Sequence, residues 1–176
     1  MGIDVKKLSV DLGIKLGLLL FLSNTVFYVV DMELFLNWKI SLIFLFIVIG
    51  SGVYSILNSR KKLGGYISWS DAFVSYMACT AVGMLIAALA QIFIFVILDP
   101  GAAEQLNEMS MIMVKEMYTG MNLSEEIIQQ ALIEMEKNPS LSLRNLTLSL
   151  AIGLGIQTIF GSINALIFKR SNPEIA

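Results

Sequence analysis

Three stretches of this chain, 40–59, 72–98 and 145–168, contain no Asp, Glu, Lys or Arg. A helix rises about 1.5 Å per residue, so each stretch is long enough to cross the roughly 30 Å of hydrocarbon in a bilayer. Hydrocarbon offers backbone N–H and C=O groups no partner except each other, which restricts an isolated stretch of this kind to an α-helix. The composition agrees: 56% of residues are hydrophobic and only 15% are charged, with a mean hydropathy of +0.76. That is too apolar for the surface of a soluble domain.

A fourth span precedes these three. Only 16–30 is free of charge, and Asp11 and Lys15 sit just before it. Residues four apart share a helix face, so these two can pair, and the Lys15 stem can reach back to the headgroups. The span is therefore expected to start near Leu12, with no ionisable residue near the midpoint of any span. A signal peptide is the competing reading, but Asp31, Met32 and Glu33 follow the apolar run where small residues would mark a cleavage site. Myristoylation fails because Lys6 stands where the motif needs Ser or Thr.

Orientation follows from the cationic residues, which resist translocation. With the N-terminus inside, Lys6, Lys7, Lys15, Arg60, Lys61, Lys62, Lys169 and Arg170 face the cytoplasm, and Lys39, Lys115, Lys137 and Arg144 face out. This eight-to-four division predicts that both termini are cytoplasmic, and ten of the fourteen acids then fall outside. Trp38 and Trp69 head spans on opposite sides, where amphipathic rings settle. Arg60, Lys61 and Lys62 form a cytoplasmic basic anchor for anionic headgroups. Beyond them Gly64 and Gly65 allow a turn, Ser68 or Ser70 caps the third span, and Asp71 suits its positive end.

The polar residues at membrane depth are Asn24, Gln91, Gln157 and Asn164. Unsatisfied amides are costly in hydrocarbon, so they are expected to bond one another inside a bundle, or else to line a hydrated path. Small residues spaced four apart, Gly13 and Gly17, Gly83 and Ala87, Ala151 and Gly155, Gly161 and Ala165, suit close helix packing within one bundle or between copies.

Residues 99–142 form the one extramembrane stretch large enough to have structure. Asp99, Pro100 and Gly101 break the third helix. Leu106, Met109, Met113 and Met117 then fall on one helical stripe, and Thr119 and Gly120 end it. Asn122 and Glu125 have capping-box spacing. Ile127, Ile128, Ala131, Leu132 and Met135 make a second apolar face, closed by Lys137, Asn138 and Pro139. Two such helices form an amphipathic hairpin whose apolar faces must pack on each other, on the membrane surface or on a partner. Five methionines between Met109 and Met121 raise the possibility of Cu(I). Met111, however, points away from Met109 and Met113 on a helix, which favours an adaptable packing stripe over a metal site.

The predicted fold is thus all-α: a polytopic four-transmembrane-helix bundle with spans near 12–30, 40–59, 72–98 and 145–168 and an extracytoplasmic helical hairpin between spans 3 and 4. One cysteine, Cys79, and no histidine exclude a disulfide framework, a zinc site and histidine acid–base chemistry within one chain. No catalytic residue, metal or cofactor is implied, and a net charge of -2 points to no nucleic-acid partner.

The run Arg60-Lys61-Lys62-Leu63-Gly64-Gly65-Tyr66-Ile67-Ser68-Trp69-Ser70-Asp71-Ala72-Phe73 carries a resemblance, followed by Asp99-Pro100 and by Asn122-Leu123-Ser124-Glu125-Glu126-Ile127-Ile128. With these, essentially the whole chain resembles the Bacteroidota membrane family called domain of unknown function 4199. The resemblance implies a four-span protein of the bacterial inner membrane and supplies no activity. Three functional classes follow: a non-catalytic component whose outer hairpin contacts a partner protein or its own copies, a small oligomeric channel or carrier lined by the amides, and an enzyme. No paired acid and base, activated nucleophile or metal cluster supports the last.

Overall fold

The computed structural model describes residues 3–170. Four of its helices are long and apolar enough to cross a membrane: α1 (Ile3–Val30), α2 (Trp38–Lys62), α3 (Trp69–Ile92, prolonged by a π-helical stretch Phe93–Leu98) and α6 (Leu143–Phe168). Between α3 and α6 lie α4 (Pro100–Gly120) and α5 (Glu125–Lys137), the two arms of the hairpin. The end of the bundle carrying them is called the hairpin end here, and the opposite end, with Arg60, Lys61 and Lys62, the basic end.

α3 is the central helix, touching α1, α2 and α6. Glycine makes the closest approaches possible. A Cβ at Gly13 would stand 2.7 Å from the Cys79 carbonyl oxygen, and one at Gly83 would stand 2.6 Å from Leu16 Cδ2. Gly17 is similarly covered by Ile86, and Gly161 by the ring of Tyr76. Three of the four small-residue pairs therefore have members packed within this chain. Ala151 and Gly155 do not: both are exposed, and nothing lies within 4 Å of a Cβ built on Gly155.

The basic-end half of the bundle is knitted by hydroxyls. Ser75 Oγ on α3 lies 2.6 Å from Ser59 Oγ, 3.0 Å from Ser55 Oγ and 2.8 Å from Ser9 Oγ, all four residues fully buried. One arrangement uses each proton once. Ser59 donates to Ser75, Ser75 to Ser9, and Ser9 to the Val5 carbonyl, while Ser55 donates to the Ser75 carbonyl at 3.0 Å. In hydrocarbon each hydroxyl must find a partner, and here the partners lie on three different helices.

Caps and turns follow the sequence closely, with two exceptions. Ser68 caps α3, accepting from the Asp71 N–H and donating to Asp71 Oδ2 at 2.9 Å. Gly64 and Gly65 hold φ of 75° and 95°, the left-handed region that a Cβ disfavours. Asp99 caps α4 with Pro100 in its first turn. Asn122, however, is no cap. It takes φ 54° in the α4–α5 turn, and Ser124 stands at the N-cap of α5. An αL asparagine is a turn residue, which the capping-box spacing cannot distinguish.

The second exception concerns the start of the first span. α1 is helical from Ile3, and Asp11 and Lys15 are exposed on its flank well inside the bundle's length. Leu16 packs on Gly83, near the middle of the helical stretch Trp69–Leu98, which sets Lys15 about level with the middle of that stretch. Helix register against α3 is set by the Gly13, Gly17 and Gly83 contacts, which hydropathy does not report.

Candidate functional site at the hairpin end

Toward the hairpin end the packing loosens into a cavity of about 380 Å³ walled by all four spanning helices. Asn24 of α1, Gln91 of α3 and Gln157 of α6 all line it, among Phe27, Phe35, Phe44, Met84 and other apolar side chains, and no charged residue does. Counting residues from the hairpin-end termini of their helices sets Asn24 about 9 Å deep, Gln91 about 10 Å and Gln157 about 21 Å. The amides thus descend into the bundle. Ser41 of α2 and Ile156 of α6 are exposed wall residues and mark its open side.

The floor of the cavity is closed. Gln157 is buried and accepts a 2.6 Å hydrogen bond from Tyr76 Oη, and Tyr76 is wholly buried with Ile56 and Ala165. Gly52 faces one side of its ring and Gly161 the other, so that the ring occupies space any larger residue would fill. Below it lies the serine cluster.

The expected bonding among the four amides is not what forms. Gln157 pairs with Tyr76, and Asn164 donates to the Phe160 carbonyl of its own helix at 2.8 Å. Among the described residues, neither the Asn24 nor the Gln91 side chain has a hydrogen-bond partner; both open onto the cavity. The reason is geometric: each lies on a different helix with the cavity between them.

Above the cavity the hairpin is tied down. Tyr28 Oη of α1 donates to Asp99 Oδ2 at 2.8 Å, while Asp99 Oδ1 accepts from the Ala102 N–H. The Tyr28 hydroxyl, and behind it the Ala102 N–H, hold the Asp99 carboxyl below its usual 3.8. Leu106 and Ala102 bury themselves against Ile94 and Phe95, with Tyr28 and Phe35 alongside. Past this anchor, α4 and the 31–39 turn enclose a groove of about 640 Å³. Its apolar lining includes Trp38, Met109, Ile112 and Met113, and Asp31, Glu33, Lys39 and Glu116 line it as well.

A family model described as "Protein of unknown function (DUF4199)" matches residues 11–170. The chain belongs to that family. No curated protein and no solved structure matches it. In this DUF4199 member the residues expected to form one apolar surface are divided. Leu106 and Ile128 are buried, and Met109, Ala131, Leu132 and Met135 are half-buried. Met113, Met117 and Ile127 are exposed. The buried part of the α4 stripe is spent on the end of the bundle, and its free part begins at Met113.

The basic anchor divides as well. Arg60 Nη1 reaches the Phe168 carbonyl at 3.5 Å, near the C-terminus of α6, while Lys61 and Lys62 are exposed. Ile67 and Arg170 exchange two backbone hydrogen bonds of 3.0 and 2.9 Å, which fasten the basic loop to the end of α6. Sequence reading missed the serine cluster, the Tyr76–Gln157 pair and the Tyr28–Asp99 tie. Ser55 and Ser59 at i, i+4 in a charge-free span were the available signal for the first. No local pattern announces the other two, whose partners are 81 and 71 residues apart.

Proposed function

We propose that this protein is a non-catalytic component of a bacterial inner membrane, with both termini cytoplasmic, whose hairpin end is a docking surface for an extramembrane segment of another membrane protein. The observation that carries this reading is the groove between α4 and the 31–39 turn, where Trp38, Ile112 and Met113 are 65%, 59% and 47% exposed. Contiguous exposed apolar surface with a charged rim is the usual anatomy of an interaction site. Methionine suits such a site because its unbranched thioether conforms to varied partners. The eight-to-four division of Lys and Arg supports the orientation.

The test is photocrosslinking in native membranes from a photoreactive residue at Ile112, with Lys137 as the control position. Protein adducts at 112 that are missing at 137 support the proposal. Adducts to lipid alone at 112 overturn it in favour of a hairpin that merely rests on the membrane.

A second reading, a carrier or small-ligand binder, draws on the cavity where Asn24 and Gln91 leave their amides unpartnered. Cavities of this size and mixed lining suit small molecules. Conduction would require Tyr76 to leave the floor, so the cavity as it stands supports binding rather than passage.

A further inference from the structure

Lys15 immediately precedes Leu16, whose side chain covers Gly83 near the middle of the 30-residue span Trp69–Leu98. At about 1.5 Å per residue that span accounts for the hydrocarbon and both headgroup layers, so Lys15 stands near the bilayer centre. Asp11 lies two residues past Ser9, whose hydroxyl meets that of Ser75 at 2.8 Å. This sets Asp11 roughly 10 Å from the centre, still within hydrocarbon. Both residues are exposed on the flank of α1 away from α3, and among the described residues neither side chain has a hydrogen-bond or ion-pair partner. Ionisable residues at such depth normally face a bundle interior or a water-filled cavity.

The same flank offers a continuous stripe on which a second helix can lie. Asp11, Lys15, Leu18, Leu22, Thr25 and Val29 follow one another at alternating spacings of four and three. Five of them are exposed and Thr25 is half-buried. That 4-3 spacing sets the six on one continuous stripe, the placement a two-helix seam requires, and it runs the length of the flank that α3 leaves free.

We infer that α1 forms the seam of a parallel two-fold dimer of this chain, in which Asp11 of each copy pairs with the partner subunit's Lys15. Two copies inserted with one topology run parallel. Helix side chains lean toward the N-terminus, which brings the Lys15 ammonium down to the level of Asp11. A seam residue packs between the neighbouring seam positions of the facing helix, and for Lys15 one of these is the partner's Asp11. Two-fold symmetry then makes the pairing reciprocal, each copy supplying both signs. A second copy thus offers both charges a partner across the seam, beyond the pairing that their four-residue spacing allows within one α1.

The test is energy transfer between donor- and acceptor-tagged full-length chains in vesicles of phosphatidylethanolamine and phosphatidylglycerol. The parent chain should show transfer that survives dilution with lipid. Asp11→Lys alone and Lys15→Asp alone should each weaken association about a hundredfold, since like charges would meet in hydrocarbon. Mixing donor-tagged Asp11→Lys with acceptor-tagged Lys15→Asp should restore it, because both cross-pairs are regained. Parent transfer at the level of random encounter overturns the inference, as does full transfer in either variant alone. Failure of the mixture also overturns it if both variants keep their helical circular dichroism. Should either variant misfold, Leu18→Cys and Leu22→Cys in the otherwise parental chain decide the matter. Oxidation should give a covalent dimer from each and not from Leu19→Cys, which is exposed beside the seam. Equal yields at all three positions contradict the seam.

Discussion

Tyr76 Oη and Gln157 Oε1 meet at 2.6 Å between α3 and α6, and this contact separates the amide-lined cavity from the hydroxyl-bonded half of the bundle. Tyr76→Phe leaves the buried Gln157 oxygen without its donor. The expected loss is about 1–3 kcal/mol of stability, the usual penalty for orphaning a buried polar group. Thermal unfolding in detergent measures it. Asn164→Leu should cost well under that, because its bond to Phe160 lies within one helix. A Tyr76→Phe chain as stable as the parent would mean that the contact holds nothing closed.

Ser75 is shared by Ser9, Ser55 and Ser59, so Ser75→Ala should disturb three helices together. A loss of roughly 1–3 kcal/mol is expected, since the remaining hydroxyls must compete for carbonyls on their own helices. Ser55→Ala should cost less, as Ser59 and Ser9 remain on Ser75. Comparing the two midpoints on heating checks the order.

Gly52 faces the Tyr76 ring so closely that an added Cβ would overlap it. Gly52→Ala should therefore destabilise by about 1–3 kcal/mol through overpacking, despite the better helix propensity of alanine. Gly155→Ala, on an open flank, should be neutral or slightly stabilising. The same unfolding assay distinguishes them.

Asp99 is held below 3.8 first by Tyr28 and then by the Ala102 N–H. A carboxyl whose folded value is depressed contributes its stability fully above the unfolded value and loses it as pH falls through the folded one. Acidification below 3.8 should thus loosen α4 from α1, raising hydrogen exchange along Pro100–Gly120 before the spanning helices respond. Tyr28→Phe should shift that loosening to higher pH, because the group that most depresses the value is gone. Protection of the Pro100–Gly120 amides that stays unchanged, after allowance for the intrinsic pH dependence of exchange, as the pH falls well below 3.8 would contradict the tie.

Much of this fold was legible in the chain because lipid enforces a simple rule. The charge-free stretches became α2, α3 and α6, and Asp99, Pro100, Gly120 and Lys137 bounded the hairpin arms as their chemistry suggested. What the sequence concealed was relative register. Hydropathy gives Asn24, Gln91 and Gln157 a depth but no partner, so their convergence on one cavity appears only once Gly13, Gly17 and Gly83 have fixed how α1 lies on α3. The same missing register hid that Lys15 stands level with the middle of α3. Helical periodicity grouped Leu106 with Met113, yet the bundle end covers one and leaves the other free.

The orientation can be read with reporters active only outside the cytoplasm. A fusion in the α5 region around Gln129 should be active and one at the C-terminus silent, as the distribution of Lys and Arg predicts. Activity at the C-terminal fusion alone would invert the molecule and put the groove on the other face.

The most direct test of the hairpin as an apolar docking surface is the adduct yield from a photoreactive residue at Ile112 in two variant chains. In one, Met109, Met113 and Met117 are all replaced by Leu, which nearly conserves volume and apolarity. In the other, Met113→Asp puts a charge on the contact face. The account predicts protein adducts close to the parental yield in the leucine chain and their loss in the aspartate chain, with both chains folded. The reverse result, adducts lost with leucine and retained with aspartate, would contradict it and point to a role for the thioether sulfurs themselves.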